Sequence, residues 1–168
     1  MPVRRTDFRR LLDVLVRHRV DFIVVGGAGA VLQGVPMQTL DLDLVHDRSA
    51  ANVDRLHAAL LDLDACYREH LPAKVLRPRK EDLSLPGHHL LETSAGPLDL
   101  LGTVGRNRGY DDLVGRVDRV EILSGLCVQV LELPMLIVIK EEVGRAKDLA
   151  VLPLLRSTLE ERQRKEGS

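Results

Sequence analysis

Asp41 and Asp43 are the two residues whose type and spacing point most directly to chemistry. They alternate with Leu40, Leu42 and Leu44 in a stretch that runs to residue 46 and is typical of a half-buried strand. If the leucines face the core, both carboxylates project from the other face, with roughly 7 Å between their Cα atoms. Unpaired carboxylates so close together repel each other, and Mg²⁺ relieves this repulsion because it binds one or two carboxylates with waters and phosphates. The alternative is that Asp41 and Asp43 have no ligand and form the solvent-exposed face of an edge strand.

A pair of glycines precedes this strand and strengthens the chemical interpretation. Gly26 and Gly27 follow the apolar run 22–25, a predicted buried strand, and thirteen residues separate Gly27 from Asp41. Glycines at a strand-to-helix turn let backbone N–H groups approach a phosphate, whose charge the start of the predicted helix 28–33 favours. A tight turn without a ligand is the structural alternative. A phosphate cradle beside a carboxylate pair is a sharper signal than either feature alone.

A third carboxylate, Asp99, lies in a later predicted strand, 98–101, with leucines on either side. This strand and the stretch 89–94 flank Ala95-Gly96-Pro97, which is a turn signal. Asp99 can join Asp41 and Asp43 only if its strand lies next to theirs in the sheet.

The elements that must position these residues alternate between helices and strands. A first helix starts at Thr6 as its cap, and another is capped by Ser49. Residues 64–87 form a loop-dominated connection with one short strand at most. The remaining predicted elements are a hairpin of 116–123 and 127–131, a helix from Pro134 to about Val143, and a last helix from about Lys147 whose end frays from Glu160.

Composition limits the classes of function. The chain has 168 residues, 45% hydrophobic and only 2% aromatic, so one aliphatic-cored domain without base-stacking platforms is expected. The net charge of −1 excludes a strongly basic binding module. Cys66 and Cys127 suit free thiols in a reducing compartment. With no leader signal and no apolar run of membrane length, a cytoplasmic protein is expected.

These motifs together resemble the nucleotidyltransferase superfamily of the polymerase-beta type. Its pattern is a hydrophobic strand, Gly-Gly or Gly-Ser, a spacer, Asp-hydrophobic-Asp and a later acidic residue, here Gly26-Gly27, Asp41-Leu-Asp43 and Asp99. The segment 136–149, with Lys140 and Gly144-Arg-Ala-Lys-Asp148, is similar to a bacterial branch that includes abortive-infection nucleotidyltransferase toxins and uncharacterised relatives. The resemblance covers roughly residues 20–160.

The resemblance implies an α/β (α+β) fold: a small mixed β-sheet flanked by helices in a single domain over 1–168, with a core of about 20–131 and a helical part of about 132–160. It implies an enzyme that transfers an NMP from ATP or another NTP to a hydroxyl of RNA or tRNA, a protein or a small molecule. Two Mg²⁺ ions are expected in this reaction. The implied metal ligands are Asp41, Asp43 and Asp99, and the implied nucleotide contacts are Gly26, Gly27, Thr39, Lys140, Arg145 and Lys147.

Several residues have alternatives that stay open. Lys140 can face a ligand or extend to solvent. Arg145, Lys147 and Asp148 can form a local network at a helix start. His88 and His89 are adjacent on a strand and point to opposite faces, so a shared metal site is not expected. The basic residues within 77–80 suit a solvated loop or an RNA-facing one.

Two departures from the family pattern bear on function. Relatives carry His-Gly-x-Pro-Arg before the metal strand, and this chain has Gln33 and Met37 in place of the histidine and the arginine. The loss of a phosphate or acceptor contact at Met37 favours a rival hypothesis, a non-catalytic module of a toxin–antitoxin-like pair with a cognate partner protein. An antibiotic-modifying transferase ranks below both because the chain leaves little room for a second substrate domain.

Overall fold

The computed structural model describes residues 5–70 and 74–168. Two segments lie outside these ranges. They are residues 1–4, on which the expected lack of a leader depends, and residues 71–73 of the predicted loop. The strands are β1 Phe22–Val25, β2 Leu42–His46, β3 Cys66–Tyr67, β4 His88–Thr93, β5 Gly96–Leu101, β6 Val117–Leu123 and β7 Leu126–Leu131. The helices are α1 Phe8–Arg17, α2 Gly26–Leu32, α3 Ala50–Asp62, α4 Lys80–Leu83, α5 Tyr110–Leu113, α6 Leu133–Val143 and α7 Ala146–Glu166, with 3₁₀ turns at Arg68–His70 and Val114–Arg116.

The described strands form one mixed sheet in the order β3-β4-β5-β2-β1-β7-β6. Strand β2 is parallel to β5 and antiparallel to β1, which is in turn parallel to β7. The hairpins β4–β5 and β6–β7 extend the sheet on either side. This arrangement confirms the predicted α/β class with a mixed sheet flanked by helices.

Each face of the sheet carries its own core. On one face Leu42, Leu44, Leu98 and Leu100 pack with residues of α1 and α3. On the other face Ile23, Val25 and Val45 pack with residues of α6 and α7. Because side chains alternate along a strand, Asp43 and Asp99 lie on the second face, at the margin of the α6–α7 core. The leucine–aspartate alternation therefore positions the carboxylates beside a helical layer.

Local details depart from the sequence predictions in three places. Strand β2 begins at Leu42, and Leu40 is 69% exposed, so its predicted core position is wrong. Its carbonyl accepts a hydrogen bond from Thr6 (2.6 Å), which leaves Asp7 to cap α1 through the N–H of Arg10. The predicted turn residue Gly96 is the first residue of β5, where its φ of +118° lets the strand start directly after a tight turn.

The C-terminal helices meet at Gly144, whose left-handed conformation (φ +65°) ends α6. Helix α7 continues to Glu166, so the predicted fraying from Glu160 is wrong. Cys66 and Cys127 are free thiols, as predicted. Within the described ranges, no helix combines the length and the apolar character needed to cross a bilayer.

Candidate active site

Asp43 and Asp99 lie side by side at the centre of the sheet. They are register partners in the parallel pair β2–β5, which confirms that the strand of Asp99 neighbours the strand of Asp43. Asp41 lies just before β2 with a half-exposed side chain, 46% accessible. Strand pairing thus brings Asp99, which is distant in sequence, next to Asp43 and near Asp41.

The crowding of these carboxylates changes their acidity. Burial, the neighbouring Asp99 and the more distant Asp41 raise the pKa of Asp43 to about 7, and protonated Asp43 donates a hydrogen bond to Asp99. Burial also raises the pKa of Asp99, although the positive charge of Arg68 opposes this increase. The cluster therefore carries more negative charge than its surroundings neutralise, and one proton relieves part of the repulsion.

Gly26 and Gly27 make the close approach to this cluster possible. Gly26 has a φ of +60°, and a Cβ on it would overlap the Asp43 carboxylate. A Cβ on Gly27 would lie 2.7 Å from Thr39 Oγ1, too close for a real contact. Both glycines belong to the first turn of α2 and not to a turn before it, because the helix starts two residues earlier than predicted. Glycine is required at both positions because the side chains of Asp43 and Thr39 leave no space for a Cβ.

A cavity of about 240 Å³ connects the carboxylates to the C-terminal helices. This volume is below the roughly 300–1,000 Å³ of sites that enclose a drug-sized ligand, so the cavity can take one part of a larger ligand. Its walls are largely aliphatic, with charged groups at the carboxylate end and near α7. The lining residues are Val25, Gly26, Asp43, His88, Leu101, Val104, Gly105, Leu136, Ile139, Lys140, Val143, Arg145 and Asp148.

Asp148 organises the basic residues at the far end of this cavity. Its carboxylate is 1% exposed and accepts hydrogen bonds from Lys140 Nζ (2.8 Å) and Arg145 Nε (2.7 Å). Burial opposes the charged form, but these two bonds hold the pKa of Asp148 below its usual value. The pairing of Arg145 with Asp148 belongs to the local network considered from the sequence, but Lys140 takes the place expected for Lys147. Lys147 is exposed and lies outside the cavity lining.

Arg68, which follows β3 in a short 3₁₀ turn, is the site residue that sequence reasoning missed. Its Nη2 donates to Asp99, and its Nη1 lies 4.0 Å from Asp41 Oδ1. The only sequence signal was an arginine in the poorly patterned segment 64–87, and no local pattern reports that this segment pairs with the β4 edge. His88 was also missed as a cavity residue; its Nε2 lies 2.9 Å from the carbonyl of Thr103.

The two departures from the family pattern have different structural outcomes. Gln33 is buried and ties three elements together, because its amide donates to Asp118 and the Leu131 carbonyl while Arg162 donates to Gln33. It therefore connects the end of α2 to β6, β7 and α7. The Met37 side chain lies near Gly27, where it presents an apolar group.

The donor set fits a divalent cation, although it is not a preformed cage. Across residues 5–70 and 74–168, no three His, Cys, Asp or Glu side chains already converge as a metal-ligand group. Mg²⁺ does not require one, since it is commonly held by one or two carboxylates with waters and phosphates. Asp43 and Asp99 supply such a pair, and the proton that they share is one that a divalent cation would displace.

Comparison with known proteins bears on the fold. No protein-family model matches the chain, and no curated protein matches it. A solved structure that it resembles is that of a "putative nucleotidyltransferase" from Thermotoga maritima, with 20% identity and a TM-score of 0.56. The alignment covers 91% of this chain and 90% of the other. The chain has a nucleotidyltransferase-like fold. At this identity the likeness extends to the fold alone.

Proposed function

We propose that the protein is a Mg²⁺-dependent nucleotidyltransferase that moves an NMP from an NTP to an acceptor hydroxyl and releases pyrophosphate. The observation that carries the proposal is the register pair Asp43–Asp99, set against Gly26 in a sheet of nucleotidyltransferase-like topology. A structural role alone does not account for three crowded carboxylates of which one has a pKa of about 7.

The carboxylates provide the metal-binding part of the site. Asp43 and Asp99 would hold the cation and Asp41 would complete the set, and phosphate oxygens would complete the coordination of a second ion. Bound Mg²⁺ would stabilise charge on the phosphoryl oxygens and on the attacking and leaving oxygens of an in-line displacement. Asp99 would share the second ion and help to take the proton of the acceptor hydroxyl.

The nucleotide would lie along the cavity from the glycines to α6. Gly26 and Gly27 carry no side chains that would block the triphosphate, and Thr39 lies against Gly27. Lys140 lines the same cavity as Asp43, and its charge acts to lower the pKa of Asp43, which supports a role for its ammonium group toward a ligand there. Arg145 lines the same cavity, while exposed Lys147 suits a longer acceptor such as RNA.

The proposal is tested by labelling with each NTP in turn. The purified protein, Mg²⁺ and an α-labelled NTP are incubated with total RNA or with cell lysate, and labelled RNA and protein are separated. Asp43→Asn and Asp99→Asn should each lower transfer at least about 10³-fold, because metal stabilisation is worth several kcal/mol in the barrier. Asp54→Asn is the matched control, since Asp54 is exposed and pairs with Lys80 away from the cluster. Full transfer by Asp43→Asn would disprove the mechanism.

A second candidate, a non-catalytic nucleotidyltransferase-fold module in a toxin–antitoxin-like pair, is favoured by two observations. Arg68 already pairs with Asp99, and position 37 carries a methionine. This candidate predicts that calorimetry detects no Mg²⁺-dependent NTP binding and that a partner protein copurifies with the chain. NTP binding that requires Mg²⁺ and Asp43 excludes it.

A further inference from the structure

Arg68 contacts the carboxylates that the proposed reaction assigns to a metal. Its guanidinium donates to Asp99 and approaches Asp41, and the three side chains are 30%, 14% and 46% exposed. The contact is therefore half-buried, at the β5 side of the cluster. Gly26 lies on the other side of Asp43, at the end of β1.

The hydrogen bonding of Arg68 is incomplete in this position. Its Nε is buried and has no hydrogen-bond partner among the described residues. A guanidinium offers five donors in a rigid fork, and leaving a buried donor unpaired is costly. Arg68 is thus held by charge at Asp99 while one edge of its fork is unsatisfied.

The backbone that carries Arg68 is anchored, so only its side chain has to move for this contact to change. The preceding strand β3 pairs with β4 at Cys66 and Tyr67, and the Tyr67 N–H donates to the Leu76 carbonyl (2.8 Å). An arginine side chain has several rotatable bonds beyond this anchored backbone. Rotation of the side chain can carry the guanidinium several ångströms without unpairing the sheet.

A divalent cation and the guanidinium compete for Asp99. Both are positive and repel each other at this distance, and the guanidinium already occupies Oδ1 of the carboxylate. Among alternative anions, a phosphate matches the planar fork of arginine with two parallel hydrogen bonds. A phosphate group beside the cluster would therefore pair with the guanidinium once a cation has displaced it from Asp99. The same phosphate would accept a hydrogen bond from the unpaired Nε.

We propose that Arg68 is an exchangeable substrate contact, which pairs with Asp99 until a divalent cation takes that carboxylate and then binds a phosphate of the reactants. This inference rests on the proposed function and adds a role for a residue outside the motifs that suggested it. The phosphate belongs to the triphosphate donor or to an RNA acceptor, and the two sources are separated by the test.

Calorimetry on Arg68→Gln provides the test because two opposite changes are expected. Without nucleotide, Mg²⁺ should bind Arg68→Gln about tenfold more tightly than the wild type, since a competing charge-assisted hydrogen bond is gone. With saturating Mg²⁺, inorganic triphosphate or a short oligoribonucleotide should bind about tenfold more weakly, since a phosphate contact is gone. The probe that loses affinity identifies the source of the phosphate. Arg68→Lys should retain part of the binding because it keeps the charge without the fork.

Arg79→Gln is the matched control, because Arg79 lies in the same connection and pairs with Asp82 away from the carboxylates. It should change neither affinity. Arg68→Gln that leaves both affinities unchanged, or weakens both, overturns the exchange. If Arg68→Gln has no such effect but Asp43→Asn abolishes Mg²⁺ binding, the exchange is wrong and the proposed metal site still holds. A wild type that binds neither Mg²⁺ nor triphosphate overturns the proposed function as well.

Discussion

Two sites in this fold are built around aspartates whose pKa values shift in opposite directions. Asp148, at the start of α7, is almost fully buried, yet Lys140 and Arg145 both donate to it and its pKa is lowered. Asp43, at the centre of the sheet, is crowded by Asp99 and Asp41 and its pKa rises to about 7. One cluster has cations that match its charge, and the other is left with excess negative charge.

The difference separates a structural carboxylate from one suited to binding a ligand. A buried charge with two hydrogen-bonded partners is satisfied within the chain and holds α6 against α7. A carboxylate that has to share a proton with its neighbour destabilises the fold unless a cation arrives. Residues that are unfavourable for folding and lie beside a cavity are characteristic of functional sites.

The largest effect on stability is expected at Asp148, whose charge is paired with Lys140 and Arg145. Asp148→Ala leaves Lys140 and Arg145 without their shared partner, so the free energy of unfolding should fall by about 3 kcal/mol. Chemical denaturation followed by circular dichroism measures this change. Asp64→Ala, which breaks an exposed ion pair with Arg77, should change it by less than about 1 kcal/mol. Equal losses for the two variants would show that Asp148 has no special structural role.

At the crowded cluster, removal of an aspartate charge is expected to raise the free energy of unfolding. The folded-state pKa of Asp43 lies above its unfolded value of 3.8, so between about pH 4 and pH 7 the folded state holds a proton that the unfolded state releases. Asp43 therefore lowers the stability of the protein progressively as the pH rises through this window. Asp43→Asn removes the charge and should stabilise the protein by about 2 kcal/mol at pH 8.

The gain from Asp43→Asn should shrink to near zero at pH 4, where the Asp43 carboxyl is protonated in the folded state and slightly less than half protonated in the unfolded chain. Denaturation curves at the two pH values make the comparison. A gain that is the same at both values would mean that crowding of charge is not the cause.

A smaller effect is expected from the glycine that allows the crowding. Gly26→Ala introduces a Cβ against the Asp43 carboxylate at a φ of +60°, and should destabilise the fold by about 1 kcal/mol or slightly more. Gly115→Ala is the control, because its Cβ would enter open space. If Gly26→Ala is as stable as the control, the cluster is looser than its geometry indicates.

The sequence predicted most of the crowded cluster and less of what surrounds it. Alternating leucines placed Asp43 on the face opposite to them, because strand periodicity is a local property. Gly26 was expected to let a phosphate approach the backbone, and in the structure the Asp43 carboxylate lies against it. Whether Asp99 lay beside Asp43 depended on the order of strands in the sheet, so the sequence could state it only as a condition.

Residues placed by non-local pairing were the ones missed. Arg68 reaches Asp99 across the β3–β4 edge, which a two-residue strand in an irregular segment does not signal. Leu40 fitted the alternation and is nevertheless exposed, because the strand begins two residues later and tertiary contacts with Thr6 set its conformation. The roles of Lys140 and Arg145 toward a nucleotide stay predictions, since both also serve Asp148.

Titration with Mg²⁺ at pH 8, followed by calorimetry, tests the central contrast most directly. We predict that the wild type and Asp64→Ala bind the ion alike, and that Asp43→Asn weakens binding at least about tenfold, the equivalent of one lost charge-assisted contact. Wild-type binding should also weaken as the pH falls below about 7, because the proton on Asp43 competes with the metal. Equal Mg²⁺ affinity in the wild type and Asp43→Asn would contradict the assignment of the crowded carboxylates as the metal site.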